Sequence, residues 1–223
     1  MENKRIFEID ILKLIAITSM IIFHLIYDLN EFVGLNVNYE SGFWYFLGRM
    51  AAILFIILSG INSGFSKDIF KKGIVTLSFG LIVSVITFII FNNQYVRFGI
   101  LHFLGICMML YPILKKLNTY WLLMLIFLIC FGINTPIYNI EIFKFFDNIF
   151  GKASVDYYPL FPYVSLYIAG IVFNKVFYYK KVSIFNLYTK NKIIIAVSKN
   201  SLLIYLIHQP LILGIIFIIS LFI

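Results

Sequence analysis

Long apolar runs separated by short polar connections cover most of the chain. Read with a window of about 19 residues, the sequence has such runs near residues 9–28, 43–65, 73–92, 97–114, 119–134, 158–178 and 200–222. Each run approaches the roughly 20 residues that an α-helix needs to cross a bilayer, and the run at 119–134 is the shortest. The pattern predicts an all-α fold, a polytopic transmembrane helix bundle with about seven spans, as a single domain over residues 1–223.

Composition supports the same class of protein. Hydrophobic residues make up 62% of the chain and charged residues 13%, with a mean hydropathy of +0.98. A soluble domain carries about 25% charged residues, so a soluble fold is excluded. The excess of 18 Lys and Arg over 10 Asp and Glu is dispersed among the apolar runs. We therefore expect no nucleic-acid partner.

The positive charges in the connections predict the orientation, because Lys and Arg collect on the cytoplasmic side of a membrane. With the N-terminus inside, the basic residues on the outer side are only Arg49, Arg97, Lys144 and Lys152. We predict a multi-pass protein of the plasma (inner) membrane with a cytoplasmic N-terminus, an outer C-terminus and membrane lipids as partners. The N-terminus resembles a signal peptide, but Asp10 interrupts its apolar stretch and no small-residue cleavage site follows, which predicts a retained first helix.

Ionisable side chains inside the apolar runs mark candidate functional positions, because each costs about 2.5–3.5 kcal/mol to insert into a membrane. His24 and Asp28 lie four residues apart near the outer end of the first helix, which places them on one face. The other candidates at middle or outer depth are Arg49, His102, Asp156, Tyr157, Tyr158 and His208. Such a cluster suits proton transfer by a buried histidine oriented by a carboxylate, with arginine or tyrosine stabilising developing charge. The alternative, that each histidine forms only an interhelical hydrogen bond, stays open.

Features elsewhere in the chain point less directly to chemistry. Asp10 and Lys13 lie at helical spacing at the inner membrane face, where they either pair or contact a cytosolic donor molecule. Cys107 and Cys130 both lie inside apolar runs, so no disulfide framework is indicated. The sequence has no P-loop, no zinc-ligand spacing and no nucleophile elbow, and we expect no metal.

A family resemblance lies in four segments that follow one another in a fixed order. They are residues 5–10 continuing to 20–28, residues 48–60, residues 98–105, and residues 158–170 followed by 201–210. In order and spacing they resemble the small bacterial members of the heparan-alpha-glucosaminide N-acetyltransferase catalytic-domain family, over nearly the whole chain. They resemble more distantly the integral membrane sugar O-acetyltransferases, whose first helix also carries an acid and then a histidine.

The resemblance implies an acyltransferase that moves acetyl from cytosolic acetyl-CoA to an amino or hydroxyl group of a sugar or glycan on the far side of the membrane. For this chemistry we expect, from the chain's own polar residues, His24 as general base held by Asp28, with Arg49 or His102 stabilising the oxyanion. The implied substrate-binding residues are Asp156, Tyr157, Tyr158, His208 and Gln209, and the implied donor-binding residues are Asp10 and Lys13. Direct transfer and an acyl-histidine intermediate both stay open.

The chain departs from the family at one functional position. The lysosomal enzyme of the family carries its catalytic histidine in the first luminal loop, whereas the loop at residues 29–42 has no histidine here. His24 corresponds to an asparagine in that enzyme, so its role as base is a prediction from this chain's own residues.

Two other classes of function fit the same residues. Buried His, Asp and Arg residues with kinking prolines also describe a small-solute or proton-coupled transporter. A non-catalytic membrane subunit that packs against a partner is the third interpretation, and a homo-oligomer stays open. Turnover of acetyl-CoA separates the acyltransferase from both alternatives.

Overall fold

The computed structural model describes residues 5–92, 95–132, 156–185, 187 and 191–220, and these ranges contain eight α-helices. The helices are α1 (Phe7–Val33), α2 (Gly42–Ser63), α3 (Ile69–Phe91), α4 (Ile100–Leu114), α5 (Thr119–Gly132), α6 (Leu160–Phe177), α7 (Lys192–Lys199) and α8 (Ser201–Ser220). No strand occurs in these ranges, and the predicted all-α fold is confirmed for them.

Five of the helices are long and apolar enough to cross a bilayer. They are α1, α2, α3, α6 and α8, and the shorter apolar helices are α4 and α5. At 1.5 Å per residue, the 15 residues of α4 and the 14 of α5 are shorter than a ~30 Å hydrocarbon core. The prediction of a multi-pass membrane protein is therefore supported, while the count of seven spans and the orientation stay predictions.

The chain divides into two compact units, and the single domain over residues 1–223 stays a prediction. The first unit comprises residues 1–55 and 181–223, and the second comprises residues 56–180. The division falls inside α2, so this helix contributes its first part to one unit and its last part to the other.

In the first unit, α1 is the central helix and packs against both α7 and α8. Its core side chains include Ala16 and Ile17, which are completely or almost completely buried. α1 ends at Gly34, whose φ of 78° is left-handed and whose backbone N–H donates to the carbonyls of Leu29 and Asn30. Glycine adopts this conformation without steric cost, which accounts for the sharp end of the helix.

In the second unit, α3 packs against α4 and α5 packs against α6. The last turns of α2 lie against α6 at a crossing of two glycines, Gly60 and Gly170, where each Cα is the other's close neighbour. Phe103 and Tyr167 are completely buried in this unit, and the Tyr167 hydroxyl is 2.6 Å from the hydroxyl of Ser63. Small residues thus bring two backbones into contact, as is common for helices in membranes.

Candidate functional site

Two histidines from the first and last helices form the centre of the candidate site. The ring of His24 on α1 lies against the ring of His208 on α8, with centroids 4.9 Å apart and planes inclined at 55°. His208 is buried and His24 is half-buried. The two residues were selected from the sequence for separate roles, and the structure brings them together.

The hydrogen bonds of His208 define which of its nitrogens carries the proton. Its Nδ1 lies 2.6 Å from the backbone carbonyl oxygen of Tyr205, which can only accept a hydrogen bond. Nδ1 must therefore be the donor, and in the neutral ring Nε2 keeps its lone pair. This buried Nε2 has no hydrogen-bond partner among the residues that the structure describes. A histidine with one nitrogen fixed by a carbonyl and the other unengaged has the arrangement of a general base.

Asp28 on α1 is completely buried and is held by the side chain of Gln209 on α8. The Gln209 amide nitrogen donates to both carboxylate oxygens at 2.9 Å. The amide oxygen of Gln209 is buried and, in the described part of the chain, has no donor facing it. The site therefore presents two buried acceptors without partners, Nε2 of His208 and Oε1 of Gln209. Such atoms suit a ligand that brings an N–H or O–H group.

The expected hydrogen bond between His24 and Asp28 does not form within the described structure. Residues four apart in a helix are neighbours, but both oxygens of Asp28 accept from Gln209. The His24 ring instead contacts Phe23 at 5.7 Å and His208. Asp28 thus positions Gln209, the residue next to His208, rather than His24.

Arg49 belongs to the same unit but lies on an exposed part of α2. Its Nε donates to the hydroxyl of Tyr45 at 3.1 Å, and its guanidinium lies 5.1 Å from the centre of the Tyr45 ring. Gly48, the residue before Arg49, faces the ring of Phe23, where a methyl group would come within 2.8 Å of the ring carbons. The predicted oxyanion role of Arg49 stays a prediction.

The loop after α1 is ordered by its own polar side chains. The Asn30 amide donates to the carbonyls of Leu35 at 2.5 Å and Val37 at 2.9 Å. The Tyr39 hydroxyl donates to Glu31 at 2.7 Å, and this bond to a carboxylate, with burial as a smaller cause, raises the pKa of Tyr39 to about 12. The loop thus has a defined conformation although it carries no histidine.

The remaining predicted site residues form a second polar cluster, which lies in the second unit. His102 Nδ1 accepts from the backbone N–H of Gly99 at 3.2 Å, so the ring proton is on Nε2, which donates to the Ser84 hydroxyl at 3.2 Å. Ser84 in turn donates to the carbonyl of Val96 at 2.6 Å. Both nitrogens of His102 are therefore engaged within its own unit, which is the arrangement of a structural cap.

Asp156 and the two tyrosines after it connect the segment before α6 to the start of α4. The Asp156 carboxylate accepts from the backbone N–H of Ile100 at 3.2 Å. Tyr157 forms a parallel bridge with Phe98, and the Tyr158 N–H donates to the Phe98 carbonyl at 3.1 Å. Burial raises the pKa of the Asp156 carboxyl to about 6, against a smaller opposite effect of the Ile100 hydrogen bond. The predicted substrate-binding roles of these three residues stay predictions.

Comparison with known proteins decides the family. One family model, described as heparan-alpha-glucosaminide N-acetyltransferase, catalytic, matches residues 5–210. The chain belongs to this N-acetyltransferase family. The match includes all of α1 and the first half of α8, with both histidines, and ends just after Gln209. No curated protein and no solved structure matches the chain.

Membership in the N-acetyltransferase family indicates a membrane acetyltransferase type of function and confirms the resemblance noted from the sequence. Of the predicted donor-binding residues, Asp10 is buried and accepts from Arg5 at 2.5 and 2.9 Å and from Ser198 at 2.6 Å. Lys13 is half-buried. The Asp10 carboxylate already accepts hydrogen bonds from Arg5 and from Ser198 of α7, which do not favour a contact with acetyl-CoA. Its role toward acetyl-CoA stays a prediction.

Several residues that shape this family member's site were not identified from the sequence. The Tyr205 carbonyl, which sets the tautomer of His208, is a backbone group and has no sequence signal. Arg5, Glu8 and Ser198 form polar contacts at the start of α1, and the acids in the first turn of this apolar helix were the available signal in the sequence. Among the described residues, no three His, Cys, Asp or Glu side chains are grouped as metal ligands.

Proposed function

We propose that the chain transfers the acetyl group of cytosolic acetyl-CoA to an amine or hydroxyl of a sugar or glycan on the far side of the membrane. The family match supports the acetyltransferase chemistry. The observation that carries the proposal is the contact of His24 with the buried His208, beside the Asp28–Gln209 hydrogen bonds. Among the described side chains of the first unit, this group offers two buried atoms without a hydrogen-bond partner, Nε2 of His208 and Oε1 of Gln209.

The reaction needs a base, because a neutral amine or hydroxyl attacks a thioester slowly until its proton is removed. In the proposed step the acceptor's N–H or O–H proton passes to the histidine pair as the new N–C or O–C bond forms. The C–S bond of the thioester breaks, and the departing thiolate of CoA takes that proton. Each neutral ring already carries one N–H proton. Together the two rings take up one additional proton, because two positive charges at this separation repel each other.

Each residue of the pair has a distinct role in this proposal. His24 is the base predicted from the sequence, and His208 is the residue whose Nε2 is oriented for proton transfer by the Tyr205 carbonyl. Gln209 Oε1 accepts a hydrogen bond from the acceptor sugar, while Asp28 holds the Gln209 amide in place. The proposal therefore requires both helices, α1 and α8, for activity.

The test is acetyl transfer by purified protein in nanodiscs. Acetyl-CoA labelled in its acetyl group is supplied with a panel of amino sugars and cell-envelope glycans, and release of CoA and label on the acceptor are scored. Acceptor-dependent release of CoA is expected. No turnover with any acceptor would contradict the proposal, and solute flux in liposomes without acetyl-CoA would support a transporter instead.

Substitution of the histidines tests the mechanism separately from the function. We expect His208→Ala and His24→Ala each to lower kcat by about 100-fold or more, the usual contribution of a general base, with the melting temperature measured in parallel. His102→Ala is the comparison, since its ring is engaged at both nitrogens and its loss should lower the melting temperature first. Full activity in both His24→Ala and His208→Ala would overturn the histidine mechanism and leave the acetyltransferase assignment standing.

A further inference from the structure

The chain between residues 181 and 199 is a basic segment that lies against the first turn of α1. We call its described part, residues 181–185, 187 and 191–199, the basic segment. It ends in α7, an eight-residue helix whose start is capped by the Asn191 side chain, which accepts from the backbone N–H groups of Ile193 and Ile194. Between residues 181 and 199 the sequence has four lysines and no acid.

Two buried carboxylates of α1 hold this segment at both of its ends. Glu8 accepts from the Ser183 hydroxyl and from the Ile184 N–H, each at 2.7 Å. Asp10 accepts from Ser198 at 2.6 Å, and Arg5 donates to the same Ser198 hydroxyl at 2.9 Å. Because hydrogen bonds to a buried carboxylate are strong and directional, the segment has a defined face toward α1 and a defined outer face.

The outer face combines apolar side chains with lysines. Phe185 is 67% exposed and Ile193 is 71% exposed, and the other exposed apolar residues are Val182, Ile184 and Leu187. The exposed lysines among them are Lys181, Lys192 and Lys199. In the part of the chain that the structure describes, none of these three lysines forms an ion pair, and the acids beneath accept hydrogen bonds from other groups: Glu8 from Ser183 and Ile184, and Asp10 from Arg5 and Ser198.

A surface of this composition fits the boundary between lipid headgroups and acyl chains. Apolar side chains at such a boundary enter the acyl region, while lysines extend their stems and place the ammonium group among the phosphates. The segment is hydrogen-bonded to the first turn of α1, and α1 is a helix of 27 residues that is long enough to cross the bilayer. One end of a spanning helix lies at the interface, which places the segment there. Uncompensated positive charge favours lipids with a net negative headgroup.

We propose that the basic segment is a binding surface for anionic phospholipids of the membrane leaflet at the inner end of α1. Lys181, Lys192 and Lys199 contact the lipid phosphates, and Phe185 and Ile193 insert beside the acyl chains. Because Glu8 and Asp10 connect the segment to α1, lipid binding also stabilises the helix that carries His24 and Asp28. The surface is independent of whether the proposed acetyl transfer is correct.

The experiment measures lipid selectivity of the full chain in nanodiscs of phosphatidylcholine with increasing phosphatidylglycerol. Bound lipid is identified by native mass spectrometry, and the melting temperature is recorded at each composition. We expect the wild-type protein to retain phosphatidylglycerol selectively and to melt higher as its fraction rises. The triple variant Lys181→Gln, Lys192→Gln and Lys199→Gln should lose roughly threefold or more of that selectivity, since each lysine near a charged surface contributes measurably.

A second triple variant with the same change in charge provides the matched control. Lys67, Lys71 and Lys72 are exposed lysines of the second unit, and their replacement by Gln should leave the selectivity unchanged. Equal losses in both triple variants would show a net-charge effect and overturn the proposal, as would no loss in the first. Displacement of phosphatidylglycerol by inorganic phosphate at constant ionic strength would also overturn it, because the site would then bind free anions.

Insertion of the apolar residues is tested by an environment-sensitive fluorophore. Ile193→Cys in a Cys130→Ser background is labelled with a nitrobenzoxadiazole dye, because Cys107 is buried and Cys130 is exposed. We expect a blue shift of the emission and quenching by lipids spin-labelled near the headgroup. Emission typical of water, without quenching, would contradict the placement of this face in the membrane.

Discussion

At the scale of single residues, the completely buried carboxylate of Asp28 is the most constrained group of the first unit. Its partner, the Gln209 amide, donates to both of its oxygens. A buried charge that loses its donors keeps the full cost of its desolvation. The pair is therefore expected to contribute to stability as well as to the position of His208.

We predict that Gln209→Leu lowers the free energy of unfolding by roughly 1–3 kcal/mol, because it leaves Asp28 buried without its hydrogen-bond donors. Thermal melting in detergent, followed by size-exclusion fluorescence, measures the change. The control is Asp28→Asn in the Gln209→Leu background, which removes the charge and should recover part of the loss. A double variant that is less stable than Gln209→Leu alone would contradict this account.

Asp156 gives a prediction for the dependence of stability on pH. Its pKa in the folded protein, about 6, lies above the ordinary value of 3.8 because of burial. Folding therefore favours the protonated carboxyl, and the stability contribution is complete below about pH 4 and is lost as the pH rises toward 6. We expect Asp156→Asn to melt at a higher temperature than the wild-type protein at pH 7 and at a similar temperature at pH 4. Glu40→Gln, at an exposed position in a loop, should show no such difference.

The residues of the candidate site could be predicted from the sequence, but their pairing could not. His24, Asp28, His208 and Gln209 stood out because polar groups are costly in apolar helices. The spacing of His24 and Asp28 predicted a local bond, whereas Asp28 pairs with a residue 181 positions away. The periodicity of one helix does not show which face of a distant helix packs against it.

At the scale of the helices, the crossing of α2 and α6 requires that Gly60 and Gly170 carry no side chain. A methyl group at Gly60 would overlap the carbonyl oxygen of Tyr167, and one at Gly170 would overlap the carbonyl oxygen of Ile57. Both obstacles are backbone atoms, which cannot move without displacing a helix. The Asn174 amide, which donates to the Ile61 carbonyl at 2.9 Å, adds a buried hydrogen bond one turn further along.

We predict that Gly60→Ala and Gly170→Ala each destabilise the protein by about 1–3 kcal/mol, the usual cost of overpacking. The matched control is Gly214→Ala in α8, where a methyl group would meet nothing within 4 Å. In that position alanine should be neutral or stabilising by about 0.5–1 kcal/mol, because it is the better helix former. Melting temperatures of the three variants in one detergent provide the comparison, and equal effects at all three positions would contradict the prediction.

The helices themselves were largely predictable, because each of the seven apolar runs contains one helix of the described structure. The periodicity of apolar residues and the length of each run are strong signals for long helices. α7 was not predicted as a helix, since its eight residues were read as part of a basic connection. A short helix held by Glu8 and Asp10 depends on tertiary contacts, which local patterns do not contain.

At the scale of the whole molecule, the asymmetry of positive charge leads to a testable topology. We predict that alkaline phosphatase fused after residue 223 is active in the periplasm and that a fluorescent protein fused there is dark, because an odd number of spans places the C-terminus outside. Fusions after Lys116, predicted to lie inside, provide the opposite pattern. An inside C-terminus would show that one of the short helices, α4 or α5, does not cross.

The division of the structure into two compact units could not be predicted from the sequence. At the boundary between residues 55 and 56, the sequence shows no stretch rich in Gly, Pro or charge. Sequence signals for domain boundaries rely on such linkers. Here the boundary lies inside a helix, and the first unit is assembled from the beginning and the end of the chain.

The pairing of the first helix with the last has a consequence for biogenesis. Glu8 and Asp28 are hydrogen-bonded by residues 175 and 181 positions later in the chain, whereas Asp10 has Arg5 close by and gains Ser198 only 188 positions later. At a synthesis rate of about 5–20 residues per second, the later partners are synthesised on the order of 10–40 s after α1. During this interval Glu8 and Asp28 lack these partners, so we expect the insertion machinery or a membrane chaperone to shelter them and a chain that stops before α7 to be open to quality-control proteolysis.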